Sequence, residues 1–181
     1  MSTEAPAKRK RGRETAADMV RSLGLVMLVV VPIWFFAQAP ESDEQELREV
    51  DPSRSISAFA ADQPGVPVPG ALPPGWRATS ATYTGGESAL RVGWVTPTTQ
   101  YAEYSASTAA AEEFLEATVG EDVEQLPPLV VDGVSWQQVR EPDGSRSFTR
   151  AYGGTTVVVG TKRATAAQAE LEVLLRSLTR G

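Results

Sequence analysis

Residues 134–161 read VSWQQVREPDGSRSFTRAYGGTTVVVGT and specify the fold of the C-terminal part of the chain. It alternates segments of β-branched and aromatic residues with two turn signals, Pro-Asp-Gly at 142–144 and Gly-Gly at 153–154. This spacing predicts three strands joined as short hairpins, at 134–140, 147–152 and 155–161. Because tight turns connect antiparallel neighbours, the sequence predicts an antiparallel sheet.

The preceding part of the chain has a similar pattern. Strand-forming and alternating residues predict three further strands, at 76–83, 90–96 and 100–105. One-sided apolar spacing predicts two helices, at 109–119 and 165–178. Thr165 and Gln168 have the spacing of a capping box for the second helix. Gly120 and the prolines at 127–128 are expected to break the chain between the two halves.

Three strands and a helix thus occur twice, and residues 72–181 are expected to form one extracytoplasmic α+β domain. Helices with a single apolar face can bury it on one side of a sheet. We therefore predict two layers, with a mostly antiparallel sheet of about six strands and two helices packed on one face. A true internal repeat is left open, because the halves share no clear identity.

Residues 41–71 are expected to be a stalk that leads into this domain. Their first part, ESDEQELREVD, is acidic, and five prolines follow between positions 64 and 74. Such a density of prolines favours an extended, fairly stiff spacer.

Residues 22–40, SLGLVMLVVVPIWFFAQAP, contain no charged residue. A helix of this length spans about 28 Å, which is close to the hydrocarbon thickness of a bilayer, about 30 Å. The run shows no polar stripe, unlike a helix at the surface of a soluble protein. It predicts a transmembrane helix. A cleaved signal peptide is the alternative, and Pro40 directly after the Ala37-Gln38-Ala39 site opposes it.

The charges on either side of this span predict its orientation. Residues 1–21 form a basic tail that contains KRKRGR at 8–13, whereas the residues that follow position 40 are mainly acidic. Lysine and arginine stay on the cytoplasmic side, so the N-terminus is expected inside and the C-terminal domain outside the cell membrane. The protein is thus predicted to contact the lipid bilayer through residues 22–40.

Composition excludes several kinds of chemistry. The chain has no cysteine and no histidine, so disulfides, thiol nucleophiles and a Ser-His-Asp triad are impossible. A Ser–Lys pair outside the membrane segment would need Lys162, the only lysine there. Residues 41–181 carry eleven basic and twenty acidic residues, and this negative field disfavours nucleic acid as a partner. We expect no catalytic residues, cofactor or metal.

Aromatic side chains are the candidate contacts for a ligand or partner. Three tryptophans and one tyrosine lie in predicted strands, namely Trp76, Trp94, Tyr101 and Trp136. Core packing is the favoured interpretation of the tryptophans, given the apolar area that each buries. Tyr101 and Tyr104 are expected on opposite faces of one strand. The acidic loop at 121–124 and the carboxylates at 141 and 143 are interpreted as a solvated loop and a turn.

The chain resembles an actinobacterial family of proteins with a domain of unknown function, DUF4245. The resemblance extends from about Arg13 to Leu178 and rests on RETAADMVRSLGL, LPPGWRATSATY, VGWVTPTTQYAEYSAS, VDGVSWQQVREPDG and YGGTTVVVGT. It implies a single-pass envelope protein without an assigned activity, and it transfers no catalytic residues.

These observations favour a noncatalytic module that binds another protein or a component of the cell envelope. A carrier of a small ligand or lipid is the first alternative, and it requires a groove between the sheet and the helices. The second alternative is a hydrolase that uses carboxylates or a Ser–Lys pair.

Overall fold

The structure is a computed structural model that describes residues 19–21, 23–24, 26–28, 30–31, 49–162 and 166–180. The chain divides into two compact units, Met1–Glu46 and Leu47–Gly181. In the first unit, the described residues are helical. Most of the predicted transmembrane segment 22–40 lies outside the described residues. Within the residues that are described, no helix combines the length and apolar character needed to cross a membrane.

The second unit is built on nine strands and three helices among its described residues. The strands are β1 (Pro67–Pro69), β2 (Arg77–Thr84), β3 (Ala89–Val95), β4 (Tyr101–Ser107), β5 (Glu124–Val131), β6 (Val134–Arg140), β7 (Arg146–Tyr152), β8 (Thr155–Gly160) and β9 (Leu178–Arg180). The helices are α1 (Ser53–Asp62), α2 (Ala111–Val119) and α3 (Gln168–Arg176).

Seven of these strands form one antiparallel sheet in the order β2-β3-β4-β8-β7-β6-β5. The six predicted strands are all present, with bounds that differ from the prediction by at most two residues. The turn signals at 142–144 and 153–154 act as expected, because Gly144 and Gly153 adopt the positive φ angles that tight turns require. Asp132 and Gly133 do the same in the turn before β6. Strands β4 and β8 pair, so the N-terminal group of three strands meets the C-terminal group of four there.

The prediction of about six strands is corrected by β5, which contains Pro127 and Pro128. Both prolines were expected to break the chain. They are tolerated because β5 is an edge strand and its register with β6 shifts between Leu126 and Leu129. An edge or a bulge can accept a residue that has no N–H to donate.

The helices lie on both faces of the sheet, which corrects the prediction of two layers with both helices on one face. Successive side chains of a strand point to opposite faces. Val157 and Val159 belong to a core that includes the apolar residues of α1 and α3, whereas Val158 packs with Val119 of α2 and with Val139. The architecture therefore has three layers, α1 and α3 on one side and α2 on the other.

Residues 49–71 belong to the packed unit, in contrast to the predicted stalk. Helix α1 buries Phe59 completely, and Val66 and Val68 join the same core. The prolines at 67 and 69 bracket Val68 in the short strand β1, which pairs with β9. The prolines at 67 and 69 therefore lie in a packed strand and do not form an extended spacer. The acidic residues 41–48 lie outside the described residues.

Helix α3 begins at Gln168 rather than at residue 165. Its first turn is closed by Glu170, whose carboxylate accepts a 3.3 Å hydrogen bond from the N–H of Ala167. Ala167 therefore occupies the N-terminal cap position that Thr165 was expected to fill. The predicted apolar face is correct, since Leu171, Leu174 and Leu175 are buried.

Candidate functional site

The structure separates the predicted aromatic contacts into three places. Trp94 and Trp136 are core residues with 4% and 2% of their surface exposed, in agreement with the favoured core interpretation. Trp76 is half-buried and lies beside Trp94. Tyr101 lies on the face opposite to Tyr104, as the strand period predicts. Sequence reasoning thus identified aromatic residues that do not form one common platform.

Trp76 and Trp94 line an open groove of about 560 Å³, here called the Trp76 groove. Its apolar wall includes Leu72 and Ile56, which are only partly buried. Its complete lining comprises Glu49, Val50, Asp51, Pro52, Ile56, Gly70, Leu72, Trp76, Ala78 and Trp94. The segment before α1 is held at this groove because the N–H of Val50 donates a 2.9 Å hydrogen bond to the carbonyl of Ala78.

Two carboxylates give the Trp76 groove a negative edge. The N–H of Ser53 donates a 2.9 Å hydrogen bond to Asp51, and this bond lowers the pKa of the Asp51 carboxyl. Asp51 is therefore charged at neutral pH. Glu49 adds a second acidic group, and among the described residues no lysine or arginine lines the groove. Aromatic, aliphatic and anionic groups thus converge on one concave surface.

Trp136 lines a smaller groove of about 130 Å³ together with Arg150 and Tyr152. The Arg150 guanidinium lies 5.3 Å from the centre of the Tyr152 ring, a cation–π distance. The rings of Trp136 and Tyr152 meet edge to face at 6.2 Å. The rings of Trp136 and Tyr152 thus contact each other, and Tyr152 also contacts Arg150, which leaves little of their surface for a ligand.

A third groove lies beside α2 and is here called the α2 groove. It has a volume of about 400 Å³ and is lined by Glu112, Leu115, Glu116, Val119, Gly120, Glu121, Val123, Gln125, Gln137, Val139 and Thr149. Helix α2 supplies one wall, and strands β5, β6 and β7 supply the floor. Local sequence patterns do not reveal this groove, because its residues come from α2, the loop after it and three strands that long-range pairing brings together.

A row of polar residues and glycines crosses the same face of the sheet and centres on Glu103. The row runs through β2, β3, β4, β8 and β7, in the order Ser80, Gly93, Glu103, Gly160 and Ser147. Glu103 is only 8% exposed. Its carboxylate accepts hydrogen bonds from Tyr101 at 2.7 Å and Ser105 at 2.8 Å, and Arg91 forms an ion pair with it at 3.3 Å.

These partners satisfy the charge of Glu103 and explain its burial. A buried carboxylate is costly unless donors surround it. Burial raises the pKa of the Tyr101 hydroxyl, and the hydrogen bond to Glu103 and the charge of Glu103 raise it further. Tyr101 therefore stays protonated and acts as a donor. The arrangement is typical of a structural network.

Lys162 and Ser147, the possible Ser–Lys pair, line one small cavity together with Thr118. Its volume of about 10 Å³ accommodates roughly one water molecule. The Lys162 ammonium donates a hydrogen bond of 2.5 Å to the carbonyl of Thr118, and the Ser147 hydroxyl donates to Glu141 at 3.1 Å. Burial raises the pKa of Glu141, although the Ser147 bond and the charge of Lys162 oppose this. This cavity is too small for an organic substrate.

The acidic loop after α2 does not form a cation site in the part of the chain that the structure describes. Glu124 is engaged in an ion pair with Arg140 at 3.0 Å. Among the described residues, no three or more acidic side chains come together in a way that could hold a metal ion.

Comparison with known proteins adds a family. A family model described as "Protein of unknown function (DUF4245)" matches residues 11–178. Neither the curated proteins nor the solved structures contain a significant match to the chain. The match therefore shows the family over nearly the whole chain, but it identifies no site residues.

Proposed function

The chain belongs to the DUF4245 family of proteins of unknown function. We propose that it is a noncatalytic binding module of the cell envelope. One N-terminal helix anchors it in the cell membrane, and the α/β/α unit lies on the outer side. Its partner is another envelope protein or an envelope component.

The sequence of residues 22–40 and the exposure of apolar side chains in this region support the membrane anchor. Residues 22–40 are uncharged, basic residues precede them and acidic residues follow. The helical residues described in this region carry large apolar side chains that are at least half exposed, namely Met19, Val20, Leu23, Val26, Met27, Leu28, Val30 and Val31. Such a surface is unfavourable in water and favourable in hydrocarbon.

The Trp76 groove is the observation that carries the proposal of binding. Ligand sites are concave and largely apolar, with a few polar groups that fix orientation. This groove has that composition, since Trp76, Leu72 and Ile56 present partly buried apolar surface beside two carboxylates. Tryptophan is enriched among the interface residues that dominate binding energy.

Site-specific crosslinking in intact cells tests this role. A photoreactive phenylalanine derivative at Leu72 is expected to yield a defined product, because Leu72 lines the groove. The same group at Thr82, an exposed position in β2 outside the groove, is the control. Trp76→Ala should abolish the Leu72 product. Equal products from both positions, or reproducible turnover of a substrate by the purified chain, would contradict the proposal.

Topology has an independent test. A reporter enzyme that is active only outside the membrane, fused after Gly181, is expected to be active. A reporter that functions only in the cytoplasm should be silent at the same position. The reverse result would contradict the proposed orientation and leave the binding role of the Trp76 groove untouched.

A carrier of a small ligand or lipid is the second candidate, and the position and size of the α2 groove favour it for a ligand without negative charge. This groove lies between a helix and the sheet, and its volume of about 400 Å³ falls within the usual range of ligand sites, about 300–1,000 Å³. Native mass spectrometry of the chain purified from cells is the test. A co-purified small molecule that Leu115→Trp displaces would support the carrier.

A further inference from the structure

The α2 groove exists because α2 covers only part of its face of the sheet. The helix has nine residues, which makes it about 13.5 Å long. It packs against β8 through Val119 and Val158. The sheet continues past the helix through β7, β6 and β5, so the outer flank of α2 stands over uncovered strands.

The floor and wall of this groove are apolar at their centre. Val139 and Val119 are buried at the junction of sheet and helix, and Leu115 and Val123 pack against them while remaining partly exposed. Gln125 and Gln137 complete the floor and are hydrogen-bonded to each other at 3.0 Å. Their amides are thus partly satisfied, and the apolar centre offers contact to an aliphatic side chain.

The groove is anionic at its rim. Of the described residues that line it, Glu112, Glu116 and Glu121 are acidic and none is a lysine or arginine. Within the described residues, no hydrogen bond or ion pair engages these three carboxylates. The groove therefore combines an apolar floor with negative charge that the described part of the chain does not neutralise.

The spacing of Glu112 and Glu116 on α2 is unfavourable, although Glu112 by itself lies in the first turn, where the helix dipole favours an acidic side chain. Glu112 and Glu116 are four residues apart, and like charges at this spacing repel. Glu116 also lies in the last turn, where the helix dipole favours cations, and that turn contains no basic residue. Lys162 already brings one cation to the C-terminal end of α2, where its ammonium donates to the Thr118 carbonyl. A cation from outside the chain would relieve the repulsion between Glu112 and Glu116.

We propose that the α2 groove binds a basic, amphipathic peptide segment of a partner protein. An aliphatic side chain of the segment contacts Leu115 and Val139, and its lysine or arginine side chains meet Glu112, Glu116 and Glu121. Fatty acids and phosphate groups are disfavoured, because their negative charge faces the same carboxylates. This site is separate from the Trp76 groove, so either can fail while the other stands.

Binding of a defined peptide to the full chain in neutral detergent micelles tests the proposal. The probe is a fluorescent amphipathic peptide of lysine and leucine, and its control is the same peptide with glutamate in place of lysine. We expect the lysine peptide to bind and the glutamate peptide not to bind. Leu115 and Val139 should show the largest NMR shifts. Shifts centred outside the α2 groove would overturn the proposal.

Matched variants separate the groove from the overall charge of the protein. E112Q/E116Q/E121Q removes the three groove carboxylates, and E87Q/E113Q/D122N removes three acidic groups that do not line the groove. Exposed ion pairs are individually weak, and three together correspond to about a tenfold change in Kd. We expect about that loss for the first variant and less than about threefold for the second. Equal losses would overturn the proposal.

Two further measurements decide between occupants. If deletion of residues 1–21 tightens peptide binding, the basic tail of the chain itself occupies the groove, and the partner proposal is overturned. Displacement of the peptide by oleate with shifts at the same residues would overturn it in favour of a lipid. If neither the deletion nor oleate changes the affinity of the chain for the peptide, the result supports a peptide segment of another protein as the occupant.

Discussion

The hydroxyl of Tyr104 donates a 2.8 Å hydrogen bond to the carbonyl of Pro67, thirty-seven residues earlier in the chain. Tyr104 lies at the centre of the sheet and is fully buried, and burial raises the pKa of its hydroxyl, which therefore remains a donor. Through this bond the middle of β4 holds the proline-bounded strand β1 against the core. The bond explains why a segment rich in prolines packs on the domain.

Tyr104→Phe is expected to lower the free energy of unfolding by about 1–3 kcal/mol, because it leaves the buried Pro67 carbonyl without this donor. Urea denaturation measures the change. Hydrogen exchange should show faster exchange at Val68 and Gly70 than in the wild type. Tyr83→Phe is the control on a less buried tyrosine. If exchange at these two amides is unchanged, the bond does not hold β1 in place.

Gly160→Ala is expected to destabilise the protein by about 1–3 kcal/mol through overpacking. A Cβ at this position would collide with the Oγ of Ser147 and would lie 3.1 Å from its Cβ. Gly154→Ala is the matched control in the preceding turn, since nothing lies within 4 Å of the added atom. The double variant G160A/S147A should recover part of the loss, because it removes the hydroxyl. Thermal unfolding of all three variants is the measurement, and equal effects of G160A and G154A would contradict the prediction.

Phe59→Ala is expected to cost about 3–5 kcal/mol, the usual cost of removing a buried aromatic ring. Phe59 is fully buried and packs edge to face against Tyr83 at 6.3 Å. Arg54→Ala, at an exposed position of the same helix, is the control and should change stability by less than about 0.5 kcal/mol. Equal stabilities of the two variants would mean that α1 is dispensable for the fold.

The sequence predicts most strands of the sheet correctly, but it does not predict the edge strand β5 or the face on which each helix packs. Strands β6, β7 and β8 were found because their turns contain residues that favour positive φ, a local property. Strand β5 was missed because Pro127 and Pro128 were interpreted as residues that end a strand. The sheet accepts these prolines because β5 is an edge strand. The face on which α2 packs depends on long-range pairing, which a single sequence does not reveal.

The same distinction applies to the candidate sites. Trp76 was identified because tryptophans are conspicuous, but its groove also needs Leu72 and Ile56, which lie in segments assigned to the stalk or its border. Glu103 was missed because a single acidic residue in a strand resembles a solvent-facing one. Its significance appears only when pairing places Gly93 and Gly160 on either side of it.

Asp62, at the end of α1, gives the stability of the protein a defined pH dependence. The Ser88 hydroxyl donates a hydrogen bond to its carboxylate and lowers the pKa of Asp62, and Gln63 and Tyr83 lower it further. A carboxyl whose pKa is lower in the folded state stabilises that state above the unfolded pKa, about 3.9. The contribution is lost as the pH falls through the folded pKa.

Comparison of the wild type with Asp62→Asn tests this dependence by urea denaturation from pH 7 to pH 2. The difference in unfolding free energy should be constant above about pH 5 and should shrink at lower pH, because only the wild type loses a charged partner for Ser88. Ser88→Ala should move the NMR-measured pKa of Asp62 upward, towards the ordinary value. If Asp62 titrates near 3.9 in the wild type, its contact with Ser88 does not contribute to stability in this way.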